Sequence, residues 1–181
     1  MILRDEYVIT PELYGEALTY AQQSRAFTSN RHDFHAGGLS NKQQKMLEGK
    51  LGEKGFKMFL IENNIPFIED HSSPHERDEY DFLLRTESKR FLLDVKTRTK
   101  HFHTRTLEMV EQAKSHPKDI FISVRLFPER NTVKLLGWYT FEDMINVNRI
   151  ENNGYLDNYV MYDSDLRPME SLYSKVLVNC I

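Results

Sequence analysis

The segment "FLLDVKTRTKHFHTRT", residues 91–106, opens as an apolar run and closes as a basic tail, with no acid between Val95 and Thr106. Asp94 and Lys96 stand at the join. On a strand, side chains two residues apart share a face, so this carboxylate and this ammonium point the same way. Asp81 immediately precedes a second apolar run, "FLL", and in a hairpin the two aspartates come close at one end of the sheet. Carboxylates about 4 Å apart repel by about 4 kcal/mol at an effective dielectric of 20. A hard divalent cation relieves that repulsion, and magnesium commonly takes one or two carboxylates together with water and phosphate oxygens. Lys96, beside such an ion, is placed to hold or help deprotonate a water and to stabilise charge developing on phosphorus.

Helices and strands around these groups follow from periodicity and punctuation. "PELYGEALTYAQQSRA" (11–26) reads as a helix with Thr10 as N-cap and Pro11 at its first position. "FTSNRHDFHAGG" is a loop, and the spacing of His32 and His35 within it suits many loops and carries no assignment. Ser40 caps a long helix that runs to the Asn63-Asn64 turn. "IPFIED" is a short strand and "HSSPHERDE" a polar loop. "YDFLLRT" and "RFLLDVKT" form a hairpin about Glu87 to Lys89. "TLEMVEQAKSH" is a helix that stops before Pro117, and "DIFISVRLF" is a strand with Ile120, Ile122 and Val124 on one face. "TVKLLGWYT" is a further strand, and "TFEDMINV" is a short helix with Thr140 and Asp143 as a capping box. "NYVMYD" and "RPMESLYSKVL" read as a last strand and helix. The order α-α-β-β-β-α-β-β-α gives an α/β fold, a central mixed β-sheet flanked by helices on both faces.

The long helix supplies a third acid. Met46, Glu53 and Leu60 fall on nearly one stripe at about 100° per residue, so Glu53 faces the sheet; Glu48, near Phe59 around the helix, is its rival. Gly49, Gly52 and Gly55 each cost this helix roughly 1 kcal/mol relative to alanine, which makes sense where its backbone closely approaches the sheet or a phosphate. An acid-x-Lys pattern occurs at Glu48–Lys50, Glu87–Lys89 and Asp94–Lys96, and the last alone has strand context. Asp78, in the polar loop, is the rival to Asp81.

Together these features resemble the PD-(D/E)xK nuclease superfamily, which has the restriction-endonuclease-like fold. "GEKGFKMFLIENNIPF" resembles its glutamate helix with Glu53 in the motif position, "YDFLL" carries Asp81, and "LLDVKT" carries Asp94 and Lys96. "TLEMVEQAK" and "DIFISVRL" resemble the helix and strand that follow, so the likeness covers roughly residues 46–126. Two departures are Tyr80 where proline commonly precedes the first aspartate, and Asp94 in place of the commoner glutamate. The resemblance implies a magnesium-dependent deoxyribonuclease, with manganese able to substitute. It implies catalytic roles for Glu53, Asp81, Asp94 and Lys96. Asp81, Asp94 and the Val95 carbonyl would hold the metal, Glu53 would add a direct or water-mediated ligand, and Lys96 would position the nucleophilic water. In-line displacement would leave 5′-phosphate and 3′-hydroxyl ends. Many proteins of this fold dimerise, so a homodimer stays open, as does RNA as a substrate.

The formal net charge is −3, so affinity for a polyanion must come from a local patch. The basic tail supplies one: Arg98, Lys100, His103 and Arg105 are candidate DNA contacts. If the strand continues, Lys96, Arg98 and Lys100 share a face with Asp94. His101 and His103 read as surface or phosphate contacts rather than metal ligands, because no further histidine or cysteine has matching spacing. At 181 residues one domain is expected: an N-terminal helical extension (1–40), a core (41–138) and a C-terminal elaboration (139–181). No apolar run approaches the roughly 18 to 20 residues that span a bilayer, the N-terminus is too acidic for a secretory signal, and Cys180 is the sole cysteine. An intracellular, cytoplasmic protein with no membrane partner is the expectation. Two other classes keep the same residues: a nucleic-acid-binding module of this fold that does not cut, and a phage or accessory interaction domain whose acids are surface charges.

Overall fold

A computed structural model describes residues 3–24, 39–70, 79–152, 154 and 156–181. The loop with His32 and His35 and the rival acid Asp78 lie outside the described residues. The strands are β1 (Glu6–Val8), β2 (Ile68–Glu69), β3 (Phe82–Arg85), β4 (Arg90–Arg98), β5 (Arg105–Met109), β6 (Ile120–Phe127), β7 (Thr132–Thr140), β8 (Ile150–Asn152) and β9 (Asp157–Tyr162). The helices are α1 (Pro11–Gln23), α2 (Leu39–Glu62), α3 (Val110–Ser115), α4 (Phe141–Val147) and α5 (Met169–Lys175). A six-stranded mixed sheet runs β1-β7-β6-β4-β3-β2, and a second sheet runs β5-β9-β8. Among the described strands, β4 and β6 alone pair in parallel, from Leu93↔Ile120 to Arg98↔Arg125. Their crossover passes through β5 and α3, as a parallel pair requires. The mixed α/β architecture is the one the element order gives.

Alternation along β6 divides the interior in two. Ile120, Ile122, Val124 and Leu126 join the main core under α2, with Phe56, Phe59 and Leu60 from the helix and Met169 and Leu172 from α5. Phe121 points the other way, into a second core with Tyr139, Ala113, Met144, Tyr159 and Met161. That second face is covered by α3, α4 and the small sheet. Trp138 is core, as its type suggests, and its indole N–H donates to the Pro168 carbonyl at 3.1 Å and to Ser171 Oγ at 2.9 Å.

Several elements behave as their sequence predicts. The Thr10 hydroxyl accepts from the Leu13 N–H at 3.3 Å to cap α1. The Thr140–Asp143 capping box is present in both directions at the start of α4. The hairpin β3–β4 pairs from Phe82↔Leu93 to Arg85↔Arg90. Two of the three helix glycines allow close approach. A Cβ on Gly52 would stand 1.9 Å from Thr97 Oγ1, and one on Gly55 would stand 2.4 Å from Val133 Cβ, whereas Gly49 faces open space. The backbone of α2 therefore rests directly on β4 and β7.

"TLEMVEQAKSH" does not form a single helix. Its first half is strand, paired with β9 from Arg105↔Tyr162 to Met109↔Asn158, and the helix begins at Val110. Thr106 and Glu108 are buried while Leu107 is exposed, which is a period of two. The partner that makes this register favourable lies fifty residues on. β1 was not predicted either; Tyr7 buries between the outward Glu6 and Val8, and the strand closes the sheet edge on β7.

Candidate active site

The site forms where β3 leaves β4. Phe82 is fully buried, edge-on to Phe56 at 5.4 Å and to Phe67 at 5.6 Å between centroids, and it fixes the residue before it. One step past the Phe82↔Leu93 pair, the Asp81 N–H still donates to the Leu93 carbonyl at 2.9 Å. The Asp81 Oδ2 then accepts from the Val95 N–H at 2.6 Å. The carboxylate thus takes the place that the next residue of a strand would hold.

On α2, Glu53 is 9% exposed, so the helix stripe does turn it to the sheet. Glu48 instead accepts from Gln44 at the surface. Lys50 Nζ lies 2.9 Å from Glu53 Oε2 and 4.3 Å from the Tyr20 ring centroid. On β4, Asp94 and Lys96 do share a face: Lys96 Nζ lies 2.8 Å from Asp94 Oδ2. The same ammonium is 2.6 Å from Glu108 Oε2 of β5 and 5.9 Å from the Phe121 ring centroid. The Lys96 ammonium is the partner of this buried Asp94 oxygen.

Electrostatics follow from this crowding. Burial, then the charges of Glu53 and Asp94, push the Asp81 carboxyl well above the usual carboxylate range, against Lys50 and the Val95 N–H. Burial works to lower the Lys96 ammonium, but Asp94 and Glu108 outweigh it and hold the proton on. Burial raises the Glu108 carboxyl, and Asp94 adds to this while Lys96 opposes it. Among the described residues, four carboxylates (Glu53, Asp81, Asp94, Glu108) gather with the ammonium groups of Lys50 and Lys96, and the charge of Lys118 also acts on Glu108. Behind them the Tyr139 hydroxyl is buried without a hydrogen-bond partner, its ring stacked on Phe121 at 5.0 Å and 9°. Among the described residues no three His, Cys, Asp or Glu side chains stand together as a ready metal-holding group. Asp81 turns to an amide, Asp94 to Lys96 and Glu53 to Lys50.

The basic tail is divided between structure and surface. Arg98 is not a free phosphate contact: it is 7% exposed, pairs with Asp163, and donates to Ser123 Oγ at 3.2 Å and to the His103 carbonyl at 3.0 Å. The strand ends at Arg98, so Lys100 does not continue its face. Lys100, His101, Phe102 and His103 form an exposed turn. Arg105 pairs with Glu151 across the small sheet. Glu108 and Tyr139 escaped the sequence reading, and Lys50 registered only as part of a helical look-alike. For Glu108 and Tyr139 the sequence carries no local signal: the burial of Glu108 depends on the pairing of β5 with β9.

No family model matches the chain, and no curated protein matches it. Among solved structures, a bacterial homing endonuclease, I-Ssp6803I, matches with a TM-score of 0.45 and 11% identity, over 73% of this chain and 92% of that one. Among the described residues, no helix is long and apolar enough to cross a membrane.

Proposed function

We propose that this protein is a metal-dependent endonuclease that hydrolyses DNA phosphodiester bonds by a PD-(D/E)xK-type mechanism, with Mg2+ as cofactor and Mn2+ able to substitute. The observation that carries the reading is the gathering of Glu53, Asp81, Asp94 and Glu108 at one place with Lys50 and Lys96, where crowding pushes the Asp81 and Glu108 carboxyls up. A set of four carboxylates offers oxygen donors, which suit a hard divalent cation. Asp81 and Asp94 would hold it. The Val95 carbonyl would assist from the side of its own N–H, which faces Asp81, and Glu53 would contribute directly or through a water.

When bound, the ion would neutralise phosphoryl charge and acidify water. Glu53 and Asp81 fix the geometry from α2 and the β3 end. Lys96 is held protonated, so it acts as a cation that orients the attacking water and faces charge developing on phosphorus, not as a general base. Glu108 fixes the Lys96 ammonium from the opposite side at 2.6 Å. The exposed turn at Lys100 and His103 supplies contacts to the DNA backbone.

A plasmid nicking assay with magnesium, read beside a gel shift in calcium, tests this. Wild type cuts; Asp94→Ala and Lys96→Ala lose cleavage and largely keep binding. A second reading, a DNA-binding module that does not cut, is favoured by the acids being already paired with Lys50 and Lys96. Binding without metal-dependent cutting in the same assay selects it.

A further inference from the structure

Phe102 is the one exposed large aromatic hydrophobe among the described residues, 64% accessible at the tip of the turn after β4. An apolar ring in water is unremarkable by itself; the support beneath it is not. The His103 N–H donates to the Lys100 carbonyl at 3.1 Å, closing the turn. The His103 carbonyl then accepts from two guanidinium groups, Arg98 and Arg125, each at 3.0 Å. Arg98 is itself buried and paired with Asp163, whose N–H donates to the Thr104 carbonyl at 2.8 Å. A connecting loop needs no such brace. The rings of His101 and His103 stand nearly perpendicular to Phe102, at 5.2 and 4.7 Å between centroids, and flank it on both sides along the chain.

We infer that the braced Lys100–His103 turn is a DNA-insertion element, in which Phe102 stacks on a base taken out of its stack while Lys100, His101 and His103 contact the flanking phosphates. This rests on the reading of a DNA-acting site and extends it to the form of the substrate. The charge argues for a polyanion: no acid lies between Val95 and Thr106, and Lys100 is exposed beside the ring. The ring argues for bases, since apolar side chains wedge between base steps and aromatic faces stack on any base. The substrate is therefore DNA that is opened, gapped or readily unstacked.

The test uses short duplexes, intact or gapped, with 2-aminopurine walked along one strand, in calcium so that nothing is cut. Wild type should change the probe's fluorescence at one or two adjacent positions. Phe102→Ala, an exposed site whose folding circular dichroism verifies, should lose that signal and bind about tenfold more weakly. Phe102→Trp should keep both. Binding by wild type without a localised signal, equal signal and affinity for Phe102→Ala, or no binding of any duplex overturns the inference. Plasmid nicking fails or succeeds separately: a protein that gives the base signal yet never cuts retains the insertion element and loses the nuclease reading.

Discussion

Lys96 sits between two carboxylates from different sheets, and this defines its chemistry more than the Asp-x-Lys spacing does. Glu108 from β5 prevents the ammonium from collapsing wholly onto Asp94. We therefore expect Glu108→Gln to lower the cleavage rate about 10- to 100-fold, the usual effect of removing a partner that orients a metal-site group, with DNA affinity in calcium nearly unchanged. Single-turnover kinetics measure this, and an unchanged rate would remove Glu108 from the account. The placement of Asp81, Asp94 and Lys96 was legible because strand alternation and a hairpin are local. Glu53 was legible from one helical stripe. Glu108 was not, because its burial depends on β9, and Arg98 was misread because its anion, Asp163, is 65 residues away.

Elements position the site through contacts that composition alone hides. α2 looks too polar and too rich in glycine to be a central helix, yet Gly52 and Gly55 let its backbone lie on Thr97 and Val133, which brings Glu53 to Asp81. Gly52→Ala should destabilise by about 1 to 3 kcal/mol through overpacking, whereas Gly49→Ala, facing open space, should stabilise by about 0.5 to 1 kcal/mol. Thermal melts would show this as shifts of opposite sign, and two shifts of the same sign would contradict the docking described. The hairpin and the caps of α1 and α4 were readable because their determinants lie within a few residues, whereas α2 already begins at Leu39, so Ser40 lies inside it and does not cap it. The helix predicted at 106–116 failed halfway, since an isolated "TLEM" carries no sign of the strand that pairs with it. Periodicity over four residues does not separate the two outcomes.

Over the whole molecule, one ionic cluster ties the N-terminal helix to the sheet edge. Lys54 of α2 bridges Glu16 of α1 at 2.9 Å and Glu69 of β2 at 2.7 Å, and Lys57 reaches Glu69 at 2.6 Å. Burial raises the Glu69 carboxyl, but Lys54 and Lys57 outweigh it and hold it below the ordinary value of 4.5. A folded value below the unfolded one means stability present above that ordinary value and lost as pH falls through the lower one. Wild type should therefore lose more stability than Glu69→Gln between about pH 5 and about pH 3. Urea melts across that range check this, and parallel slopes would refute it. The α/β class was legible from element order, whereas the second sheet and β1 depend on pairings far apart in sequence. The central claim is that the cluster of carboxylates at the β3–β4 junction is a place for one divalent ion. Anomalous diffraction from crystals soaked in manganese tests it most directly. A single strong peak between the carboxylates of Asp81 and Asp94, with Lys96 drawn off Asp94, is the predicted result; saturating manganese with no peak there, and both lysines still on their acids, would contradict it.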